Sequence, residues 1–456
     1  MDDRLSCFSD DILHLILSPL PIKDIGRTSV LSKRWRYVWA SVPVFNIEGI
    51  NRPWIIDQAL LLHNGPIHRA VFNNEGINRP WIIDQALLFH NGPVHRVWLP
   101  RDKLVSSNAD RWILALTRKG LQDLTIDMKS VSWYKIHSSI FFCDALMSLN
   151  LKYSILKPPA DFDFKGFQSL ERLSLEKVSL DDSMLESLVS KSRQLKYLTL
   201  SECNGLSSVK IHAPNVISFH FKGFFNTLNL DKSFNLKNLK NLNLHLYPHH
   251  TEGNVRDCRA SKLVEDLPKL ESITLLGWSM RVLFSGDVPA SILSTPRCSL
   301  RTLDICLNTR ENNEVQGFFC LLRSFPSLET LSLWLDGKIE PINETDGTCF
   351  HELRTRKPDW LGCLKIVNVK NLSGLEEEME LIGFLLSNAI ALDKLTIEYE
   401  KEVKPVEQFS IAKSNGFFLV VRFQQFKRNP LFVAELLILG LFKSLSGLLQ
   451  SFSFWV

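Results

Sequence analysis

A hexamer of the form L-x-x-L-x-L recurs along this chain and constrains its fold more than any other feature. It reads LQDLTI at Leu121, LMSLNL at Leu146, LERLSL at Leu170 and LKYLTL at Leu195, at steps of 25, 24 and 25 residues. Further copies start at Leu239, Leu270, Leu300, Leu328, Leu364 and Leu392, and VISFHF at Val216 is a degenerate copy with aromatic residues in the apolar slots. In a strand, successive side chains face opposite ways, so the fourth and sixth positions point into a core and their neighbours point out. A helix cannot use the pattern, because Leu-x-Leu spacing puts the two residues on opposite sides of it. A unit of this length buries its apolar face only by stacking on its neighbours. The expected fold is therefore α/β, a curved solenoid of stacked strand-and-return repeats. Cys203 in LKYLTLSEC and Asn308 in LRTLDICLN sit where such a repeat bends. The outward strand positions Tyr197, Thr199, Asn241, Asn243, His245, Thr330, Ser332 and Trp334 are the candidates for binding a protein, with Trp334 the expected anchor because large aromatics dominate interface energetics.

The first forty residues follow another rule. Ser9 precedes Asp10 and Asp11, an N-cap with acidic first-turn residues that suit the positive end of a helix dipole. Ile12, Leu13, Ile16, Leu17 and Leu20 then fall on one helical face, and Pro19 and Pro21 end the helix. A short helix is expected from Ile22 to Arg27 and a third from about Ser29 to Trp39, with Leu31, Trp35, Val38 and Trp39 as its apolar stripe. Lys33, Arg34 and Arg36 read as a solvated face rather than a nucleic-acid patch. Three short helices cannot bury this much apolar surface alone and need a partner. The segment DDILHLILSPLPIKDIG…TSVLSKRWRYVW resembles the F-box of plant F-box/leucine-rich-repeat proteins. That resemblance implies docking on the Skp adaptor of a cullin–RING ubiquitin ligase, with Phe8, Ile12, Leu13, Ile16, Leu20, Pro21, Leu31 and Trp35 at the adaptor interface or in its supporting core. One departure is visible: Phe8-Ser9 stands where the family usually has Leu-Pro. Asp359 to Glu400 reads as strand, acidic loop, helix (about Glu377 to Asn388) and strand, and resembles the FBD-type C-terminal module of the same family.

EGINRPWIIDQALLLHNGP at Glu48 is repeated as EGINRPWIIDQALLFHNGP at Glu75. Each copy reads as a helix opened by Pro53 or Pro80, an Asn-Gly-Pro stop and a short strand, one repeat's worth of chain able to stack as an added turn. Core packing tolerates many apolar swaps, so near-identity points to a recent tandem duplication, or a fault in how the gene is read, rather than to a paired binding site. His63, His68, His90 and His95 read as turn and strand residues, since no Cys or carboxylate cluster accompanies them as metal ligands would require.

The expected organisation is an F-box at 1–42, an entry segment at 43–120 holding the doubled unit (45–71 and 72–98), repeats at 121–354, an FBD-like module at 355–425 and an apolar tail at 426–456. A net charge of +4 over 456 residues argues against a dedicated nucleic-acid binder. The start MDDRLSCFSDD lacks an apolar signal segment, and nine cysteines without C-x-x-C pairs read as reduced thiols of the cytoplasm or nucleus. Asn343-Glu344-Thr345 and Asn371-Leu372-Ser373 match the glycosylation pattern, chemistry absent from the cytosol. HELRT at His351 lacks the second zinc-protease histidine, HLYPHHTE from His245 reads as a loop, and Glu435 and Lys443 interrupt the tail below membrane-spanning length. No catalytic motif and no cofactor site is expected. With the resemblance, the expectation is a non-catalytic substrate receptor of a Skp–cullin–F-box ligase, partnered by the adaptor and a target protein. The alternative is a repeat scaffold with a weakened F-box.

Overall fold

The computed structural model describes residues 5–46, 69–71, 92–99, 106–127, 133–158, 164–224, 235–247, 267–285, 299–336, 359–399, 408–414 and 417–420, with a few other positions between 59 and 90. The fold is mixed α/β in two compact units, one chiefly Met1–Val216 and the other from Ile217 onward.

The first unit opens with three short α-helices, α1 (Asp10–Leu17), α2 (Ile22–Arg27) and α3 (Trp35–Val38). The expected third helix is broken: 3-10 turns at Thr28–Val30 and Trp39–Ser41 flank α3. Leu13, Leu17, Ile22, Ile25, Trp35, Val38 and Trp39 form the core of this cluster. Seven strands follow in one parallel ladder: β1 (Val44–Asn46), β2 (Arg69–Val71), β3 (Arg96–Leu99), β4 (Asp123–Asp127), β6 (Ser148–Lys152), β8 (Arg172–Glu176) and β9 (Tyr197–Ser201). Two shorter strands, β5 (Tyr134–Lys135) and β7 (Ser154–Ile155), pair separately. The hexamer sets the register, with Leu124, Leu149, Leu173 and Leu198 aligned and every one buried. Burying each such leucine contributes roughly 1.5–3 kcal/mol. Helix α4 (Ser106–Thr117) packs through Ala109, Trp112, Ile113 and Leu116, the i, i+3, i+4, i+7 stripe of a one-sided helix. Helix α5 (Asp182–Lys191) is capped by Asp181, whose carboxylate accepts from the Met184 N–H at 2.8 Å.

The residue after β6, β8 and β9 is left-handed each time: Tyr153, Lys177 and Glu202 have φ of 53°, 51° and 51°. None is glycine, so each carries backbone strain of order 1 kcal/mol. Their side chains link from strand to strand, Lys177 Nζ donating to Tyr153 Oη at 3.2 Å and pairing with Glu202 at 3.3 Å.

The second unit repeats the scheme with β10 (Ser218–Phe224), β11 (Asn241–Tyr247), β12 (Ser272–Gly277), β13 (Thr302–Leu307), β14 (Thr330–Leu335), β15 (Ile366–Leu372) and β16 (Lys394–Tyr399), all parallel. Gln408–Ser414 (β17) and Phe417–Val420 (β18) then add antiparallel strands. Leu242, Ile273, Leu303, Leu331, Val367 and Leu395 share one buried row. The degenerate copy obeys the same rule, with Val216, Phe219 and Phe221 buried. Among the described residues three helices lie between strands: α6 (Ser279–Leu283), α7 (Asn312–Ser324) and α8 (Glu376–Asn388). Helix α8 begins one residue before its expected start, and the loop joining it to β15 is 373–375.

Candidate functional site

The N-terminal helices present more apolar surface than they bury. In α1 the pair Leu13 and Leu17 points inward, while Ile12 and Ile16, one residue back, are exposed; the expected single apolar face is two faces. Among the eight residues assigned to an adaptor, Phe8, Ile12, Ile16, Leu20 and Leu31 are exposed and Pro21 is half-buried. Leu13 and Trp35 are not surface residues: both are buried and belong to the supporting core, because only they reach the centre of the three-helix cluster. Four further apolar residues share the exposure and went unread in the sequence: Leu5, Leu15 (74% exposed), Val30 (85%) and Tyr37 (75%). The signal for them was present, since α1 is apolar on more than one face, which a self-sufficient surface helix is not.

Ser9 takes the N-cap position with an extended backbone, and its carbonyl accepts from Leu13 N–H at 3.1 Å, but its side chain makes no capping bond. Arg34 does the tying, donating to the Phe8 carbonyl and to Asp10, both at 2.6 Å. It is therefore not simply a solvated charge, while Lys33 and Arg36 are exposed. Phe8, at the position of the sequence departure, thus has a fixed backbone and an exposed ring.

The outward strand positions divide between the units. Tyr197 and Thr199 lie on β9 of the first unit, with the Arg172 guanidinium 4.8 Å over the Tyr197 ring. Asn241, Asn243 and His245 lie on β11 and Thr330, Ser332 and Trp334 on β14, both in the second unit. His245 packs 5.2 Å from Tyr247, and Ser332 accepts from Asn368 Nδ2 at 3.4 Å. Trp334 is 43% exposed, with Lys370 Nζ 4.5 Å from its ring, a cation–π contact that holds the indole outward.

No group of three His, Cys, Asp or Glu among the described residues is placed to hold a metal ion, and none of their helices is long and apolar enough to cross a membrane. Burial pushes the Cys203 thiol up to about 11 and the Cys306 thiol to about 12, away from the thiolate a nucleophile needs. His63 and His90 are buried side by side, ring centroids 5.4 Å apart and planes tilted by 54°, and His95 precedes β3. His68, HELRT, the rest of HLYPHHTE after Tyr247, Asn343-Glu344-Thr345 and the apolar tail lie outside the described residues. Asn371 of the other glycosylation pattern has φ 62° and donates through Nδ2 to the Leu335 carbonyl at 2.7 Å.

Comparison with known proteins matches this layout at three places. An F-box domain model matches residues 5–46, the leucine-rich-repeat model of FBD-associated F-box protein At5g56370 matches 109–333, and an FBD model matches 361–397. The chain belongs to the plant F-box/LRR-repeat family. It is 27% identical to F-box/FBD/LRR-repeat protein At1g13570 of Arabidopsis thaliana over 87% of this chain and 91% of that one. It is 25% identical to FBD-associated F-box protein At5g56370 of the same plant, over 85% and 88% respectively. To F-box/FBD/LRR-repeat protein At5g56420 it is 30% identical over 48% and 49%. The F-box is therefore the N-terminal helix cluster with β1, and the FBD comprises β15, α8 and β16. No catalytic domain is among the matched models.

Proposed function

We propose that this protein is the substrate-recognition subunit of a Skp–cullin–F-box ubiquitin ligase, acting in the cytoplasm or nucleus. The F-box docks on the Skp adaptor and the leucine-rich repeats, a curved solenoid, hold a target protein. The observation that carries the reading is the exposed apolar surface of the F-box, from Leu5, Phe8, Ile12, Ile16, Leu20, Val30 and Leu31, on a cluster whose core is already complete without them. So many exposed apolar side chains on so small a cluster mark an interaction site. The chain itself performs no chemistry. It raises the effective concentration of a target lysine near the ubiquitin-loaded enzyme, and transfer belongs to other subunits. Trp334 with Lys370, and Tyr197 with Arg172, are the anchors proposed for target contact.

The test is capture of recombinant Skp adaptor by the full-length protein and by Ile16→Ala/Leu31→Ala, both exposed positions whose truncation spares the core. Loss of two interface anchors at 1 kcal/mol or more each predicts capture weakened at least about tenfold. A folded wild type that captures no adaptor sinks the reading and leaves a repeat scaffold whose F-box is weakened at Phe8-Ser9.

A further inference from the structure

The doubled segment occupies two adjacent rungs of the first unit. Arg69–Val71 of the first copy pairs in parallel with the equivalent strand Arg96–Leu99 of the second, with Ala70 opposite Val97 and Val71 opposite Trp98. Ile67 bridges to its own counterpart Val94. The His63 ring lies against that of His90, the same residue one copy on, centroids 5.4 Å apart and tilted by 54°. Each of these described pairs is a residue beside its own twin 27 positions on.

The two outer faces of this pair make different contacts. Toward the F-box, His63 Nε2 donates to the Val42 carbonyl at 2.8 Å, Gly65 N–H reaches the Ala40 carbonyl at 3.4 Å, and β2 pairs with β1. A Cβ on Gly65 would stand 2.7 Å from Ser41 Cα, so only glycine allows that approach. Toward the following repeat, Asp84 accepts from Trp112 Nε1 at 2.8 Å and from Arg111 at 3.1 Å, and Lys119 Nζ donates to the His90 carbonyl at 2.6 Å. Both copies carry His, Gly and Asp at these positions: His63, Gly65 and Asp57 in one, His90, Gly92 and Asp84 in the other. A single copy therefore holds the His, Gly and Asp that the two faces use. The inner position already shows the mismatch, because His90 has no F-box carbonyl to meet. It is fully buried, and neither ring nitrogen reaches a partner at hydrogen-bonding geometry.

We propose that one copy is a surplus spacer rung, which sets the F-box one strand spacing, about 4.8 Å, further from β4 and the strands after it than a single copy would. On the reading of function above, on which this second step rests, that offset is one determinant of where a bound target sits relative to the ligase. Two deletions of the full-length protein test it. Removing residues 48–74 makes His90 and Gly92 take over the contacts of His63 and Gly65. Removing 75–101 makes Asp57 take over those of Asp84, and puts Ala70 in register with Leu124 where Val97 now stands. Each is compared with wild type by thermal unfolding, and by energy transfer between dyes on unnatural side chains at Lys33 and Glu186, both exposed and both in the first unit.

The expected result is that at least the 48–74 deletion unfolds cooperatively within a few degrees of wild type, with the dyes drawn closer. Collapse of both deletions, or a folded deletion with the dye distance unchanged, overturns the proposal. Adaptor capture is measured in parallel. Its absence from wild type would count against the function reading alone, since folding and distance still judge the spacer.

Discussion

His63 and His90 are one residue in two settings, and the difference between them is a single carbonyl. His63 gives its Nε2 proton to Val42, whereas His90 is buried with no such acceptor. A satisfied buried hydrogen bond contributes about 1 kcal/mol, while an unmet buried polar group costs roughly 1–3 kcal/mol. His63→Leu is therefore expected to destabilise the protein by about 1–2 kcal/mol, and His90→Leu to be neutral or stabilising. Denaturant unfolding at neutral pH measures both, and equal shifts of the midpoint would refute the distinction. The sequence carries nothing that separates these two histidines. Asn371 makes a related point: its sequon is plain in the sequence, but its left-handed backbone and its bond to Leu335 are set by strand pairing, which a three-residue pattern does not contain.

At the scale of elements, legibility follows the strength of the local rule. The repeats were readable because a period of two admits one burial pattern, and the ten hexamers from Leu121 to Leu392 have their first, fourth and sixth positions buried. The F-box was readable as helices but not as a surface, because Ile12 and Leu13 are chemically alike and only the packing decides which faces inward. The start of α8 was legible to within a residue, Glu376 against about Glu377, but the task of its first turn was not, because Glu376, Glu377 and Glu378 all look solvated. Glu378 is in fact fully buried and accepts from the N–H groups of Ser373, Gly374 and Leu375 at 3.0, 2.8 and 3.1 Å, and from Ser373 Oγ. One carboxylate thus closes the turn between β15 and α8. Glu378→Ala is expected to cost about 1–2 kcal/mol, the range of a lost helix cap, since water can reach the exposed Ser373 and Gly374 amides. Glu377→Ala, next to it and without these bonds, should shift stability by less than about 0.5 kcal/mol. Chemical denaturation of the two variants decides, and comparable losses would remove Glu378 from this role.

For the whole molecule, buried titratable groups give the two units opposite responses to pH. In the first, burial lowers the pKa of His63 and takes His90 down to about 4, with the charges of His63 and Lys119 acting the same way on His90 and the nearby Pro93 and His63 backbone, short of hydrogen-bonding geometry, offsetting it only in part. A histidine held neutral in the fold contributes stability above its unfolded value of 6.5 and loses it as pH falls through about 4. In the second unit, Glu314 is bonded to Arg281 Nε at 3.2 Å and to the Asn308 N–H at 2.9 Å, with Glu311 on the same guanidinium. Burial raises its carboxyl to about 7 against the pull of Asn308 and Arg281. Its contribution is present below the unfolded value of 4.5 and is lost as pH rises through about 7. Acid should therefore loosen the first unit and mild alkali the second. Hydrogen exchange expressed as protection factors resolves them: between pH 7 and 4.5 protection should fall in β2, β3 and β4, and between pH 5 and 8.5 it should fall in β13 and α7. His90→Leu should flatten the first trend and Glu314→Gln the second, each leaving the other in place. A uniform response of both units, unchanged by either substitution, would mean that surface charge rather than these buried groups governs the pH dependence.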